Sequence, residues 1–238
     1  FTGVQYAVVS AFGGSPGVTA ATQLYNGTSW STGNAGNVAR NDTSGMGTEN
    51  DTLAMGGNNG GSVVTCSELY NGSTWSAWVP ILTARSNLGA TGNTTNGLNF
   101  FGGNTTVVNC VEEWNGISFV HSCNANFATR CRVGVGSQSA ALAAGGYNAS
   151  ALTELYTKDF ITPYTTCVWT SGGGMIVPRA QGAGGGTQNA GLVAAGATPG
   201  RVACTEEWDG NQWSVGGVLS TARSSLAGGG TLNAGWVA

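Results

Sequence analysis

Two ionisable residue types recur along the chain at positions from which they could act as an acid/base pair. A glutamate stands just before a repeated aromatic phrase in four copies: Glu68, Glu112, Glu154 and Glu206. An arginine follows the phrase in all five copies: Arg40, Arg85, Arg130, Arg179 and Arg223. A catalytic pair is needed once in a molecule, whereas this pair recurs in nearly every copy. The recurrence therefore predicts one structural ion pair or backbone clamp per copy, partly buried and costly to break.

Other residues that perform catalysis or bind metals are sparse. His121 is the single histidine, and no Cys-x-x-Cys or His-x-His spacing marks a metal site. No Gly-x-Ser-x-Gly elbow is present, and the glycine runs at 172–174 and 184–186 lack the Lys-Ser/Thr of a phosphate-binding loop. The sequence predicts no catalytic residue, no metal ligand and no cofactor, and we expect a protein that is not an enzyme.

The repeated phrase consists of two aromatic residues that flank a short polar turn. The first aromatic recurs every 42 to 52 residues, as Tyr25, Tyr70, Trp114, Tyr156 and Trp208. The second lies five residues later in all copies but the fourth, as Trp30, Trp75, Phe119, Trp169 and Trp213. The fourth copy carries an insertion, TKDFITPYTTCV, between its aromatics. A glycine pair lies upstream of each copy: Gly13–Gly14, Gly56–Gly57, Gly102–Gly103, Gly145–Gly146 and, as a departure, Ala195–Gly196.

A period in the forties, filled with short strand-like segments, is typical of propellers and solenoids. The segments are rich in Val, Ala, Leu and Thr, are bounded by Gly and Asn turns, and show no helical apolar stripe. Each copy holds about four strands, which is the composition of a β-propeller blade. Asn71–Gly72 reads as a hairpin turn because both residues tolerate positive φ. We therefore expect Tyr70 and Trp75 to face each other across the outer hairpin of a blade.

A double glycine followed by an aromatic residue and a tryptophan, at this period, resembles the kelch repeat. The resemblance covers essentially the whole chain, and it implies four-stranded propeller blades. The segments TELY, YNGTSW and TAR are also similar to segments of kelch-like repeats in bacteriophage virion proteins, particularly tail-associated ones. The departures from the pattern are Ala195 in place of a glycine, Phe119 in place of a tryptophan, and the insertion after Tyr156.

We predict an all-β protein, a single β-propeller of four-stranded kelch-like blades that spans residues 1–238. The repeats cover about 1–40, 41–85, 86–130, 131–179 and 180–223, with a partial repeat at 224–238. Phe1–Phe12 and Ala227–Ala238 match the same part of the repeat, so a closed five-bladed ring would have one strand too many. We expect about five blades in this window, from a longer chain or a ring completed by residues outside it.

The composition limits the partners and the location of the protein. Its 238 residues carry a formal net charge of −3, and 8% of them are charged. No basic patch suits nucleic acid, and no apolar run approaches the roughly 20 residues of a membrane span. The six cysteines are compatible with an oxidising compartment. We expect a virion or extracellular protein that neither binds nucleic acid nor inserts into a membrane.

The hairpin register predicts one disulfide. A register that opposes Trp114 to Phe119 also opposes Cys110 to Cys123, at a Cα separation that a disulfide accepts. The same register places valine and glycine opposite Cys66 and Cys204. These two cysteines are therefore buried thiols or are linked to Cys131 or Cys167, and the sequence leaves those alternatives open. The competing interpretation for Cys110 and Cys123 is two free thiols in a reducing compartment.

The insertion in the fourth copy is the place where a special function would most simply be added. Exposed aromatic residues with polar neighbours suit a sugar or a protein partner, and here they are Phe160 and Tyr164 beside Lys158 and Asp159. These four residues are the predicted ligand or partner contacts. The alternative is a length variant that packs against its own blade.

The leading functional hypothesis is a non-enzymatic propeller for adhesion or receptor binding, which recognises a glycan or a surface protein alongside other virion or surface proteins. The second is a purely structural subunit that assembles into a homo-oligomer through an unpaired strand edge. An intracellular kelch adaptor is the third hypothesis, and an oxidase or lyase the fourth. The histidine and tyrosine copper ligands of the kelch-like oxidases have no counterpart in this sequence.

Overall fold

The computed structural model describes residues 7–9, 12, 17–26, 28–48, 50–148, 150–161 and 164–237. These ranges contain no helix, and therefore none that could cross a membrane. They form 22 β-strands, and neighbouring strands pair antiparallel throughout the described sheets. The predicted all-β class is confirmed.

The strands form six sheets in chain order. Sheet 1 contains β1 (Ala7–Val9), β2 (Thr22–Tyr25) and β3 (Trp30–Gly33). Sheet 2 contains β4 (Ser44–Thr48), β5 (Asp51–Met55), β6 (Ser67–Tyr70) and β7 (Trp75–Trp78). Sheet 3 contains β8 (Gly89–Gly92), β9 (Gly97–Phe100), β10 (Val111–Trp114) and β11 (Phe119–His121).

The last three sheets follow the same order with local additions. Sheet 4 contains β12 (Val133–Gly136), β13 (Ala140–Ala144), β14 (Thr153–Ile161) and β15 (Tyr164–Ser171). Sheet 5 contains β16 (Ala183–Thr187), β17 (Ala190–Ala194), the short β18 (Ala197–Thr198), β19 (Gly200–Trp208) and β20 (Trp213–Arg223). Sheet 6 contains β21 (Gly228–Thr231) and β22 (Ala234–Val237).

The sheets are arranged around their first strands, which contact one another consecutively from β4 to β8, β12, β16 and β21. This arrangement is propeller-like, with meandering sheets whose first strands lie innermost. Glycine permits the close approach. A Cβ atom added to Gly134 on β12 would lie 2.3 Å from Phe100 Cζ and 3.0 Å from the Ala90 carbonyl oxygen on β8. The glycine-rich sequence of the first strands therefore sets the spacing between sheets.

The hydrophobic core lies between consecutive sheets in separate clusters. One cluster joins sheets 3 and 4 through residues that include Leu98, Phe100, Tyr156 and Trp169, all of them buried. Comparable clusters join sheets 1 and 2, 2 and 3, and 4 and 5. Sheets 2, 3 and 4 thus bury both of their faces against their neighbours, which explains why their strands read as short apolar runs rather than as a strict alternation.

The second strand of each complete sheet is largely buried, and two residues of positive φ follow it. These pairs are Gly56–Gly57, Phe101–Gly102, Gly145–Gly146 and Ala195–Gly196. The second N–H of each pair donates to the next connection, as Gly57 does to the Arg85 carbonyl oxygen at 3.0 Å. The pair in sheet 3 is shifted by one residue from the predicted Gly102–Gly103, because the turn needs two positive φ values and not two glycines. The predicted interior position is confirmed for these four strands; Gly13–Gly14 lies outside the described residues.

All five aromatic pairs close outer hairpins, as predicted. Each pair is directly opposed in the strand register, and the ring centroids lie 4.7 to 5.3 Å apart. The pairs are Tyr25–Trp30, Tyr70–Trp75, Trp114–Phe119, Tyr156–Trp169 and Trp208–Trp213. In the first copy the turn is held by Asn26 Oδ1, which accepts N–H bonds from Thr28 and Ser29 at 2.9 Å. The repeated phrase is therefore part of the frame.

The predicted arginine–glutamate clamp is confirmed in three sheets. Arg40 pairs with Glu68 at 3.0 Å and Arg85 with Glu112 at 2.9 Å, and Arg179 pairs with Glu206 in the same way. Each arginine also donates to two backbone carbonyl oxygens at the end of the second and the start of the third strand. Each glutamate also accepts backbone N–H groups from the connection that leads into its own sheet. Hydrogen bonds to the backbone thus stabilise each buried ion pair.

The prediction for the third arginine was wrong, and that for the fifth is untested, because each clamp arginine pairs with the glutamate of the next copy and no glutamate follows Arg223 in the sequence. Arg130 stacks on the Tyr147 ring, with Cζ 4.1 Å from the ring centroid, and Arg132 forms the buried ion pair with Glu154. The reason is a one-residue shift: the residue at the arginine position is Thr129, whose carbonyl oxygen accepts the Gly102 N–H. Arg132 reaches the same carboxylate position from three residues further along the chain. Arg223 is exposed and has no ion pair among the described residues.

Candidate functional site

Among the five outer hairpins that carry an aromatic pair, the hairpin of β14 and β15 is the one whose strands continue beyond that pair. Beyond Tyr156 and Trp169 the register continues for five further residue pairs, from Thr157↔Val168 to Ile161↔Tyr164. The other outer hairpins turn directly after the aromatic pair. At about 3.4 Å per residue the extension adds about 17 Å to the hairpin. The insertion found in the sequence is therefore two longer strands, which we call the extended hairpin (157–168).

The first anchor of the extended hairpin is an ion pair with sheet 3. Lys158 Nζ donates to Glu113 Oε2, while Glu113 Oε1 accepts hydrogen bonds from Ser122 Oγ at 2.6 Å and Tyr156 Oη at 2.8 Å. Burial raises the pKa of the Glu113 carboxyl, but the hydrogen bonds from Lys158, Ser122 and Tyr156 outweigh it and hold this pKa below its usual value. Burial and the neighbouring carboxylate raise the pKa of Tyr156. Glu113 is thus ionised, and Tyr156 is a hydrogen-bond donor.

The second anchor is a disulfide between Cys123 and Cys167, whose Cα atoms lie 5.9 Å apart. The predicted bridge between Cys110 and Cys123 was wrong, because Cys110 is a free thiol. The physical reason is a bulge. Val111 still accepts the Ser122 N–H, but Asn109 accepts the N–H of Ala125, so the chain has gained one residue opposite Cys110. Cys123 leaves the ladder at this point and faces sheet 4.

The four predicted ligand residues do not share one environment. Lys158 is bound inside the molecule by Glu113, and its side chain is 14% exposed, so it serves as an anchor. Asp159 is exposed at the next position. The side chains of Phe160 and Tyr164 lie outside the described part of the structure, although their backbone positions place both in the last two pairs of the hairpin. Their role in ligand contact stays a prediction.

Sequence reasoning missed Glu113 and Ser122, which complete the anchor. One signal was available: Glu113 occupies a repeat position that holds leucine in three of the five copies, as in Leu24, Leu69 and Leu155. An acidic residue at a position that holds leucine in three copies favours a partner for its charge. The partner of Cys123 had no such signal, because the bridge joins two sheets and follows from the bulge rather than from a hairpin register.

A shallow polar groove lies where the turns of sheets 3 and 4 meet. It is lined by Gly92, Asn93, Asn96, Gly136, Ser137, Gln138 and Ser139. Amide and hydroxyl groups at neutral charge can donate and accept hydrogen bonds in the same small area. The groove forms between the turns after β8 and β12, so it exists only once the repeats are folded side by side.

No protein-family model and no curated protein sequence matches this chain. Among solved structures, one described as "Structure of YjhT" superposes with a TM-score of 0.72 at 12% sequence identity. The match covers 94% of this chain and 86% of that one. At this identity the likeness shows the fold alone, and it supports the propeller-like arrangement of antiparallel sheets.

Proposed function

We propose that this protein is a non-enzymatic β-propeller module for adhesion or receptor binding, which recognises a glycan or a protein on a cell surface. The observation that carries the proposal is the extended hairpin, which is the longest departure from an otherwise regular frame and is fixed to it by two anchors. Ligand-binding residues concentrate on projecting segments that a rigid scaffold holds in place. A projecting segment that is also tethered loses little conformational entropy when it binds.

The location we propose is extracellular, within a virion or another surface assembly. The disulfide of Cys123 and Cys167 supports it, because such bonds persist in oxidising environments and are rare in the cytosol. The low charge and the polar uncharged surface support it as well. The resemblance of the repeat sequences to kelch repeats supports a closed ring of blades. Their similarity to repeats of phage virion proteins supports a location in a phage tail or fibre.

The test exchanges the extended hairpin for the regular turn of sheet 2. Residues 157–168 are replaced by Asn-Gly-Ser-Thr, the sequence of 71–74, and Cys123→Ser with Glu113→Leu removes the two partners that the exchange would leave unpaired. We expect the intact protein to bind on a glycan array or to a panel of bacterial cells, and the exchanged protein to lose that binding. A matched control, Cys123→Ser with Cys167→Ser, keeps the hairpin and should retain binding. Undiminished binding by the exchanged protein would refute the hairpin as the site.

A second candidate function is self-assembly as a structural subunit. The observation that favours it lies on β20, the outermost strand of sheet 5, where Val215 is 71% and Val218 is 75% exposed. Exposed apolar side chains on an edge strand promote pairing with another chain. Sedimentation velocity tests this candidate: Val215→Lys with Val218→Lys should reduce a concentration-dependent oligomer to the monomer, whereas the exposed Val168→Lys should not.

A further inference from the structure

A thiol, an imidazole and a carboxylate meet on the outer hairpin of sheet 3. Cys110 Sγ lies 3.9 Å from His121 Nδ1, and with a Glu112 carboxylate oxygen these ligand atoms all lie within 4.8 Å of one another. The arrangement follows from the register. Glu112 is directly opposite His121, and Cys110 lies two residues from Glu112 on the same face of the strand.

We infer that Cys110, His121 and Glu112 form a binding site for a zinc-type divalent cation. Thiolate and imidazole are the ligands that Zn²⁺ prefers, and a carboxylate oxygen is an accepted third. With Zn–S of about 2.3 Å and Zn–N of about 2.0–2.1 Å, a tetrahedral angle sets the sulfur and nitrogen about 3.6 Å apart. The observed separation of 3.9 Å reaches this value with a small side-chain movement.

Glu112 can take part without giving up its ion pair. Its Oε1 atom faces Arg85 at 2.9 Å and accepts the Thr83 N–H at 3.0 Å, whereas Oε2 accepts the Leu82 N–H at 2.9 Å. A carboxylate oxygen has two acceptor positions, so Oε2 keeps one for a cation. The carboxylate and the thiolate offset two of the three positive charges carried by the divalent ion and the Arg85 guanidinium.

The histidine and the cysteine of the site are accessible from solvent, whereas Glu112 is fully buried. His121 is exposed and Cys110 is half-buried, so a cation can reach both ligands without unfolding the sheet. Three protein ligands leave a fourth tetrahedral position for water or for an external ligand. The site lies on the β10–β11 hairpin, apart from the extended hairpin, and its existence does not depend on the proposed binding function.

The repeats supply an internal comparison. A cysteine two residues before the glutamate recurs as Cys66 in sheet 2 and Cys204 in sheet 5. The residue opposite that glutamate is Ala77 in sheet 2 and Val215 in sheet 5, in place of His121. The histidine therefore distinguishes the proposed site from two otherwise similar positions in the same molecule.

The experiment titrates the purified protein with Co²⁺, as a spectroscopic substitute for Zn²⁺, under anaerobic conditions without thiol reductants. We expect one equivalent to produce a thiolate-to-cobalt charge-transfer band that Zn²⁺ displaces. His121→Asn and Cys110→Ser should each abolish the band, and Cys66→Ser and Cys204→Ser should each retain it. Because His121 is exposed, His121→Asn tests the site without disturbing the core, and an unchanged melting temperature verifies this.

Three results would overturn the inference. The first is the absence of the band in the unmodified protein, and the second is its persistence in Cys110→Ser. The third is its persistence in His121→Asn, which would mean that the cation binds the thiol without the histidine. A variant designed to create a second cation site completes the test. Ala77 is exposed and stands opposite Glu68, so Ala77→His should add a second cobalt equivalent through Cys66, and a stoichiometry that stays at one would count against the arrangement as the source of affinity.

Discussion

Lys158 and Cys167 are directly opposed across the extended hairpin, and each is bound to sheet 3, one by an ion pair with Glu113 and the other by a disulfide with Cys123. A single register pair thus carries both anchors, two residue pairs beyond the aromatic pair that closes a regular hairpin. The part of the hairpin beyond this point extends for three further pairs. An electrostatic and a covalent bond at one level fix the direction in which the tip projects.

The thiols should differ sharply in reactivity. Peptide mapping of the non-reduced protein should find Cys123 linked to Cys167 and should find Cys110 alkylated. Burial, which outweighs the nearby Arg130, raises the pKa of Cys131 to about 11, and burial also raises the pKa of Cys66. Because the thiolate is the nucleophile, Cys131 should react with iodoacetamide at pH 8 far more slowly than Cys110. A Cys110–Cys123 peptide, or equal rates for the two thiols, would contradict the structure.

Glu113 should make the stability of the protein depend on acid pH. Its pKa is depressed below 4.5 in the folded state, so its contribution is present above that value and is lost as the pH falls through the lower folded pKa. Glu113→Gln should therefore unfold at a lower temperature than the original protein at pH 7, and the difference should shrink as the pH falls below 4.5. Glu207→Gln, at the same repeat position in sheet 5 and without an ion pair among the described residues, is the control. A difference that stays constant with pH would be evidence against the anchor.

Arg132 and Arg130 provide a matched test of the clamp in sheet 4. Arg132→Ala leaves the buried Glu154 without its cation, and removing one partner of a buried pair costs about 3–5 kcal/mol. Arg130→Ala removes a contact with the Tyr147 ring, which contributes about 0.5–1 kcal/mol at an exposed site. Urea denaturation should separate the two variants clearly. Equal losses would contradict the clamp role of Arg132, and a larger loss for Arg130→Ala would assign that role to Arg130, as the repeat spacing suggested.

Trp75 and Trp30 occupy the same repeat position with different burial. Trp75 is 6% exposed, packs against Phe12 with centroids 5.2 Å apart, and donates its indole N–H to Thr22 Oγ1 at 2.9 Å. Trp75→Ala should cost about 3–5 kcal/mol, as for other buried tryptophans. Trp30 is 43% exposed, so Trp30→Ala should cost much less. Thermal unfolding measured by circular dichroism compares the stability of the two variants. A larger loss of stability for Trp30→Ala would contradict the burial of Trp75 between sheets 1 and 2.

The features that repeat were the ones that sequence reasoning predicted. Five aromatic pairs at nearly one spacing determine a hairpin register, and three arginines at one distance from that pair proved to be buried against the predicted glutamates. Each copy confirms the others, so a local irregularity does not obscure the pattern. The frame of the molecule is visible in its sequence for this reason.

The Cys123–Cys167 bridge and the clamp of sheet 4 could not be predicted in the same way. A one-residue bulge after His121 separates Cys123 from Cys110, and a one-residue shift exchanges Arg130 for Arg132. The first error came from extending a hairpin register past an offset that recurs in other copies, as in the bond from the Ile81 N–H to the Thr65 carbonyl oxygen, and the second came from a spacing that changes in one copy. The Cys123–Cys167 bridge joins residues of two sheets, and sequence spacing carries no information about which residues two neighbouring sheets bring into contact.

The glutamate of each clamp bonds the backbone of the connection that enters its own sheet, so every such sheet holds the segment that delivers the chain to it. The coupling is therefore between nearest neighbours and has the same form at each junction. A duplication or deletion that spans one full period would join a connection to an equivalent glutamate and would leave the clamp glutamates with an arginine partner. A break of any other length would strand a buried charge, so the clamps make the whole repeat the unit in which this architecture can grow or shrink.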